Sequence, residues 1–106
     1  MITIEVLCRT VGGVEPHEIE HWIRERWVLP ERSDGNYVFH EIDVARVRLI
    51  LEMRRDLAIN EEAMPVVLGL LDQLYALRHR LRGLSAAIDA LPAELRETLR
   101  RHLDEL

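Results

Sequence analysis

The sequence predicts a mainly α protein: a winged helix-turn-helix with a small two-stranded β wing, continued by a long C-terminal helix of coiled-coil type. Three observations predict it. Two short amphipathic segments near the N-terminus are joined through Gly12-Gly13, the form of a helical pair with a tight turn. The strand-like stretches "WVLPE" and "NYVF" flank Ser33-Asp34-Gly35, a turn with a residue able to take positive φ. From Val67 onward, apolar residues recur at alternating spacings of three and four for nearly four heptads.

The elements follow in order. Ile4, Leu7, Cys8 and Val11 fall on one face of a first helix, with Thr3 placed to cap its start and Gly12-Gly13 to stop it. Pro16 suits the first turn of a second helix, with Glu15 and Glu18 near the positive end of its dipole. Ile19, Trp22 and Ile23 face inward there, and His17, Glu18, Glu20, His21, Arg24 and Glu25 face solvent. In the wing, Tyr37 and Phe39 alternate with Val38, so one face can pack on the helices. A third helix starts near Glu41, with Ile42, Ala45, Leu49, Ile50, Met53 and Leu57 as its expected buried stripe.

Asn60 is a good cap for the long helix, expected to run from about Asn60 to Leu91. Pro65 lies one turn in, where it either kinks the helix or shifts its start. Val67, Leu70, Leu74, Leu77, Leu81, Leu84, Ile88 and Leu91 form the heptad seam. Branched residues at the first and last a positions and Leu at every d favour two strands, so these eight residues are the expected homodimer interface. Gly83 is its weak point. Pro92 ends or bends the helix. A short last helix follows, with Leu95, Leu99, Leu103 and Leu106 on one side, expected to fold back on its own long helix or on a partner's. The organisation expected is residues 1–58 as the winged part and residues 59–106 as coiled coil plus terminal helix, one structural unit together.

Composition narrows the function. The 106 residues suffice for one small domain and a protruding helix. Net charge is −5, and all 14 basic residues are Arg. That balance disfavours nucleic acid, because phosphate neutralisation supplies most of such affinity. The one cysteine allows no intramolecular disulfide and suits a reducing cytoplasm. "MITIEVLCRT" lacks the form of a secretion signal, and "AMPVVLGLL" is too short to span a bilayer, so no membrane association is expected.

The stretches "WVLPE" (27–31), "YVFHEIDVARVRLI" (37–50) and "RRDLAINEEAMPVVLGLLDQLYALRHRLR" (54–82) resemble the MerR-like winged-helix superfamily. Within it they look most like the chaperone modulator CbpM family. The resemblance covers most of the chain up to about Leu84. It implies a non-enzymatic, cytoplasmic protein without cofactor. Such a protein would bind the J-domain of a DnaJ-like co-chaperone of CbpA type, which has a basic helix, and restrain its work with a DnaK-type chaperone. The sequence departs from DNA-binding MerR relatives, which carry a basic residue after the wing tyrosine: here Val38 follows Tyr37. The glycine usual between the third and fourth helices is Ala58. Metal-sensing relatives place cysteines at the base of the coiled coil, and this chain has none there.

Between Gly13 and Asp43 lie eight acids against Arg24, Arg26 and Arg32. Such a surface repels phosphate and attracts a basic protein. Charge, not the family motif, therefore nominates Glu15, Glu18, Glu20, Glu25 and Asp34 as a partner-binding face. Trp22, Trp27 and Tyr37 are its candidate apolar anchors. The plain alternatives are solvated helix faces for the acids and core or hairpin packing for the tryptophans. The rival function is a MerR-like DNA-binding transcriptional regulator, which needs Arg24, Arg26, Arg32, Arg46 and Arg48 on one face. "HEIEH" (17–21) formally matches an inverted zincin pattern but lacks a third ligand, so no metal site and no catalytic residue is assigned. Cys8 lies on the apolar face beside Leu7 and reads as core filler. Arg78 and Arg80 flank the seam and are expected to pair with Glu94 and Glu97; contact with nucleic acid is the lesser alternative.

Overall fold

The computed structural model describes residues 1–106. Its elements are α1 (Ile4–Val11), α2 (Pro16–Arg24), β1 (Glu31–Ser33), β2 (Asn36–Val38), α3 (Glu41–Asp56), α4 (Met64–Asp89) and α5 (Ala93–Asp104). They divide into two compact units, Met1–Leu68 and Gly69–Leu106. The first unit extends ten residues past the expected 1–58 segment, because Met64 and Leu68 are buried core residues.

Local signals set the first helices. The Thr3 hydroxyl accepts from the Val6 N–H at 3.3 Å. Gly12, at φ +76, ends α1 with its N–H on the Cys8 carbonyl. Leu7 is fully buried, and Ile4, Cys8 and Val11 are half-buried beside it. At α2 a capping box joins Glu15 and Glu18, the Glu15 N–H donating to Glu18 Oε1 at 3.1 Å. This helix ends in a Schellman motif without glycine: Arg26 takes φ +64, and the Trp27 N–H returns to the Trp22 carbonyl.

The wing is shorter than the sequence suggests. Of "WVLPE" only Glu31 is in a strand. Trp27 and Val28 are buried in an irregular segment instead. The Trp27 carbonyl is taken by Arg46 Nε at 2.8 Å, and Pro30 has no N–H for a ladder. The hairpin pairs Glu31 with Val38, Arg32 with Tyr37 and Ser33 with Asn36. Asp34 and Gly35 form its turn at φ +52 and +78, the two positive values that a right-twisted two-residue hairpin needs. Beyond β2, Phe39 pairs antiparallel with Ile2, adding a bridge from the N-terminus that periodicity could not reveal.

In α3 the expected stripe is corrected. Ile50 and Met53 are buried, but Ile42 and Leu57 are 69% and 68% exposed and Ala45 is exposed. The inward face is Asp43, Val47, Ile50, Leu51 and Met53. It lies roughly one residue, or about 100°, round from the expected one. Asp43 belongs to it because its carboxylate turns back to accept the His40 N–H at 2.9 Å and closes the first turn.

Asn60 does cap the approach to α4. Its Oδ1 accepts from the Ala63 N–H at 2.8 Å and its carbonyl from Met64. Residues 61–63 make a turn and the helix starts at Met64. Pro65 therefore sits in the first turn, where no helical hydrogen bond is lost: it shifts the start rather than kinking the helix. In the second unit, α4 ends at Asp89 and Pro92 caps α5. Arg100 pairs with Asp89, and this ion pair takes the place of the expected Arg78 and Arg80 pairing with Glu94 and Glu97. Leu95, Leu99 and Leu103 remain exposed on α5.

Two exchanges in opposite directions are expected to stabilise the chain. Ala58 holds φ +52, whereas Gly83 lies inside α4 with open space where a Cβ would stand. Ala58→Gly and Gly83→Ala should each raise the unfolding free energy by roughly 0.5–1 kcal/mol. Urea denaturation of the two variants checks both signs.

Candidate partner-binding face

The eight nominated residues do not form one surface. Glu15 lies in the capping box of α2. Glu18 is turned toward α3, where Arg54 Nη1 binds its Oε2 at 2.7 Å. The Arg54 guanidinium also lies 5.5 Å from the centre of the Trp22 ring. Trp22 and Trp27 are 3% and 6% exposed. They serve as core residues, in line with the plainer reading of the sequence and not with that of exposed anchors. Glu20, Glu25 and Asp34 are exposed, and Tyr37 is half-buried.

Glu20 and Tyr37 do come together. They line an open groove of about 400 Å³ with Thr3, Ile4, Glu5 and Asn36. Glu5 is the residue that sequence reasoning missed. Its position in the first turn of α1 reads as a dipole partner, and only the fold sets it beside the wing. Arg32 stacks on Tyr37 with its guanidinium carbon 4.9 Å from the ring centre. The aromatic ring of this groove thus already receives a guanidinium.

The arginines that DNA binding would need are not gathered. Arg46 is half-buried against the Trp27 carbonyl, and Arg32 lies on Tyr37. Arg54 and Arg55 are directed to Glu18 and to the Gly13 carbonyl. Arg24, Arg26 and Arg48 are exposed.

Two other sequence candidates have structural explanations. His21 Nε2 contacts the Glu61 carboxylate, and no group of three or more His, Cys, Asp or Glu side chains comes together as a metal site would. Burial raises the Cys8 thiol pKa, and the nearby carboxylates of Glu15, Glu5 and Glu18 raise it further, the opposite of what a nucleophile needs. On α4, Leu70, Leu74, Leu77, Leu81 and Leu84 are exposed. At the ends of the seam Val67 is half-buried, Ile88 is buried within the chain and Leu91 is exposed. No helix is long and apolar enough to cross a membrane.

Comparison with known proteins agrees with this architecture. A family model described as MerR HTH family regulatory protein matches residues 2–86, from the start of α1 through most of α4. No curated protein and no solved structure matches the chain.

The Glu18–Arg54 contact makes a pH prediction. The hydrogen bond from Arg54 lowers the Glu18 pKa below its ordinary 4.5. A carboxylate with a depressed folded pKa contributes stability that is present above its unfolded pKa and lost as pH falls through the folded one. Stability should therefore decline as pH falls below 4.5, and Glu18→Gln should flatten that part of the profile. Thermal melts at stepped pH values check it.

Proposed function

Because the chain belongs to the MerR helix-turn-helix family of regulatory proteins, we propose that it is a regulator of the chaperone-modulator kind, working through protein contact. In this reading it is a cytoplasmic, non-enzymatic protein without cofactor. It binds the J-domain of a DnaJ-like co-chaperone and lowers that domain's stimulation of a DnaK-type chaperone. It acts as a homodimer joined along α4. The observation that carries the reading is the sign of the exposed surface. Glu5, Glu20, Glu25 and Asp34 are exposed on the helix-turn-helix and wing, while four arginines of the same unit contact groups of their own chain. Such a face is complementary to a basic helix, and complementarity of this kind chiefly raises association rate and selects partners. The groove holding Glu20 and Tyr37 is its centre.

The second reading is a DNA-binding transcriptional regulator, and the family match favours it directly. It would rely on Arg24, Arg26 and Arg48 against the acids around them. The two readings differ in salt dependence: phosphate contacts give a steep loss of affinity with salt.

Titration of the chain with its own organism's J-domain, beside a duplex DNA, distinguishes them. Saturable J-domain binding with no DNA signal is expected at physiological salt. Reversing Glu20 and Glu25 to Arg should slow association several-fold and reduce its salt dependence; an unchanged on-rate removes this face from the reading. The proposed α4 seam has its own test. Leu74→Glu combined with Leu81→Glu should sediment as a monomer, whereas an intact dimer would exclude the seam.

A further inference from the structure

The last helix carries an apolar stripe that its own chain does not cover. Leu95, Leu99 and Leu103 recur every four residues of α5 and are 58%, 38% and 45% exposed. This helix lies outside residues 2–86, which the family model matches, so its role has to be read from this chain alone.

Polar contacts fix how α5 meets α4. Arg100 pairs with Asp89, the last residue of α4, and Arg96 donates to the Asp89 carbonyl at 3.4 Å. Ile88 beside it is 8% exposed, while Leu70, Leu74, Leu77, Leu81 and Leu84 on the same stripe are uncovered. The last turn of the α4 stripe is therefore occupied within the chain, and the continuous uncovered part ends at Leu84. Arg96 and Arg100 each follow a leucine of α5 by one residue, about 100° round the helix. With both arginines held at Asp89, the leucines are turned aside from that contact and remain in solvent.

The exposed areas indicate what covers them. At roughly 30 Å² per aliphatic carbon, the five uncovered leucines of α4 offer about 350 Å² and the three of α5 about 180 Å². A stable homodimer buries about 800 Å² on each partner, of which about 65% is apolar, or roughly 520 Å². The α4 leucines alone fall short of that figure, and the two stripes together reach it.

We propose that α5 is the second half of the self-association surface. From Gly69 onward, α4 and α5 pack against the same two helices of a second copy, each α5 lying on the partner's α4, so that four helices share one apolar core. The arrangement is isologous, because each copy brings one seam and one arm and receives the same. It rests on the α4 homodimer of the proposed function and adds to it an element that gains its stability on pairing: a helix of 12 residues is marginal in water by itself.

Photocross-linking of the full chain tests the arrangement directly. Leu103→p-benzoylphenylalanine should give a covalent dimer on a denaturing gel after irradiation, with the linked peptide in α4 of the other copy. Leu95→Glu combined with Leu103→Glu should weaken self-association at least tenfold in sedimentation. A link confined to one chain overturns the proposal, as does a link to an added J-domain with no covalent dimer. If Leu74→Glu with Leu81→Glu dissociates the dimer while the α5 variant keeps the wild-type dissociation constant, the α4 seam stands and the role of α5 falls. A wild-type chain that sediments as a monomer at high micromolar concentration refutes the seam and the proposal together. The cross-link is read in an otherwise wild-type chain, so it decides the matter even if the double variant unfolds α5.

Discussion

Three arginines of α3 tie the segments of the first unit together, each contacting a group on another segment. Arg46 donates to the Trp27 carbonyl just after α2, Arg54 holds Glu18 on α2, and Arg55 Nη2 donates to the Gly13 carbonyl at 2.7 Å in the turn between α1 and α2. The Trp27 carbonyl, part-buried, needs such a partner, whereas the contacts to Glu18 and Gly13 are exposed. The Arg55 contact also dictates its neighbour. Gly13 sits at φ +71, and a Cβ there would stand 1.9 Å from the guanidinium. A side chain there would be strained by the backbone and would push the flexible end of Arg55 off its carbonyl. Because long arginine stems can lie along apolar surface while their heads reach outward to a partner, α3 acts as brace as well as core. The same arrangement has an electrostatic consequence: part of the positive charge is directed toward the chain's own groups, and exposed acids outnumber exposed arginines on the helix-turn-helix and wing.

What was legible in the sequence was local. Thr3, Gly12, Pro16, the Glu15–Glu18 box, the Asp34-Gly35 turn and the Asn60 cap act within four residues of themselves, and each sits where its chemistry places it. What was not legible depends on partners distant in sequence. The rotation of α3 is an exception of local origin, missed because Asp43 closes the first turn on the His40 N–H and leaves Ile42 outside despite its apolar side chain. The segment at Trp27 is strand-like in composition, yet its carbonyl is taken by a residue nineteen positions away. The left-handed residue Arg26 carries no sequence signal, since such positions are normally read from glycine. The candidate face was half legible. Charge alone picks out Glu20, Glu25 and Asp34, but only the fold adds Glu5, turns Glu18 inward and buries both tryptophans.

Membership of a helix-turn-helix regulator family and an acid-rich exposed surface are compatible once scaffold and charge are separated. The hairpin and helical pair supply a scaffold, and nothing in their hydrogen bonding prescribes what that scaffold meets. The sign of the exposed side chains does. Phosphate affinity grows with each neutralised charge, so replacing exposed cations by acids removes the dominant attraction to DNA. The same exchange creates attraction for a basic protein surface. Val38, placed after Tyr37 in the wing, carries no charge that would offset those acids.

The exposed leucines of α4 bear on assembly through the same separation of local and distant forces. Leu70, Leu74, Leu77, Leu81 and Leu84 lie uncovered on one stripe, whereas Ile88 at its far end is buried within the chain. A helix of this length gains little from intrinsic propensity, and Gly69 and Gly83 weaken it further, each with open space where a side chain would be. That stripe is the surface the proposed second copy would cover. The two glycines fall fourteen residues apart at the same heptad position, off the a/d seam. A partner helix along Leu70–Leu84 would supply the missing apolar contact without disturbing Ile88, and the alternation of three and four residues is the spacing at which a second copy fits.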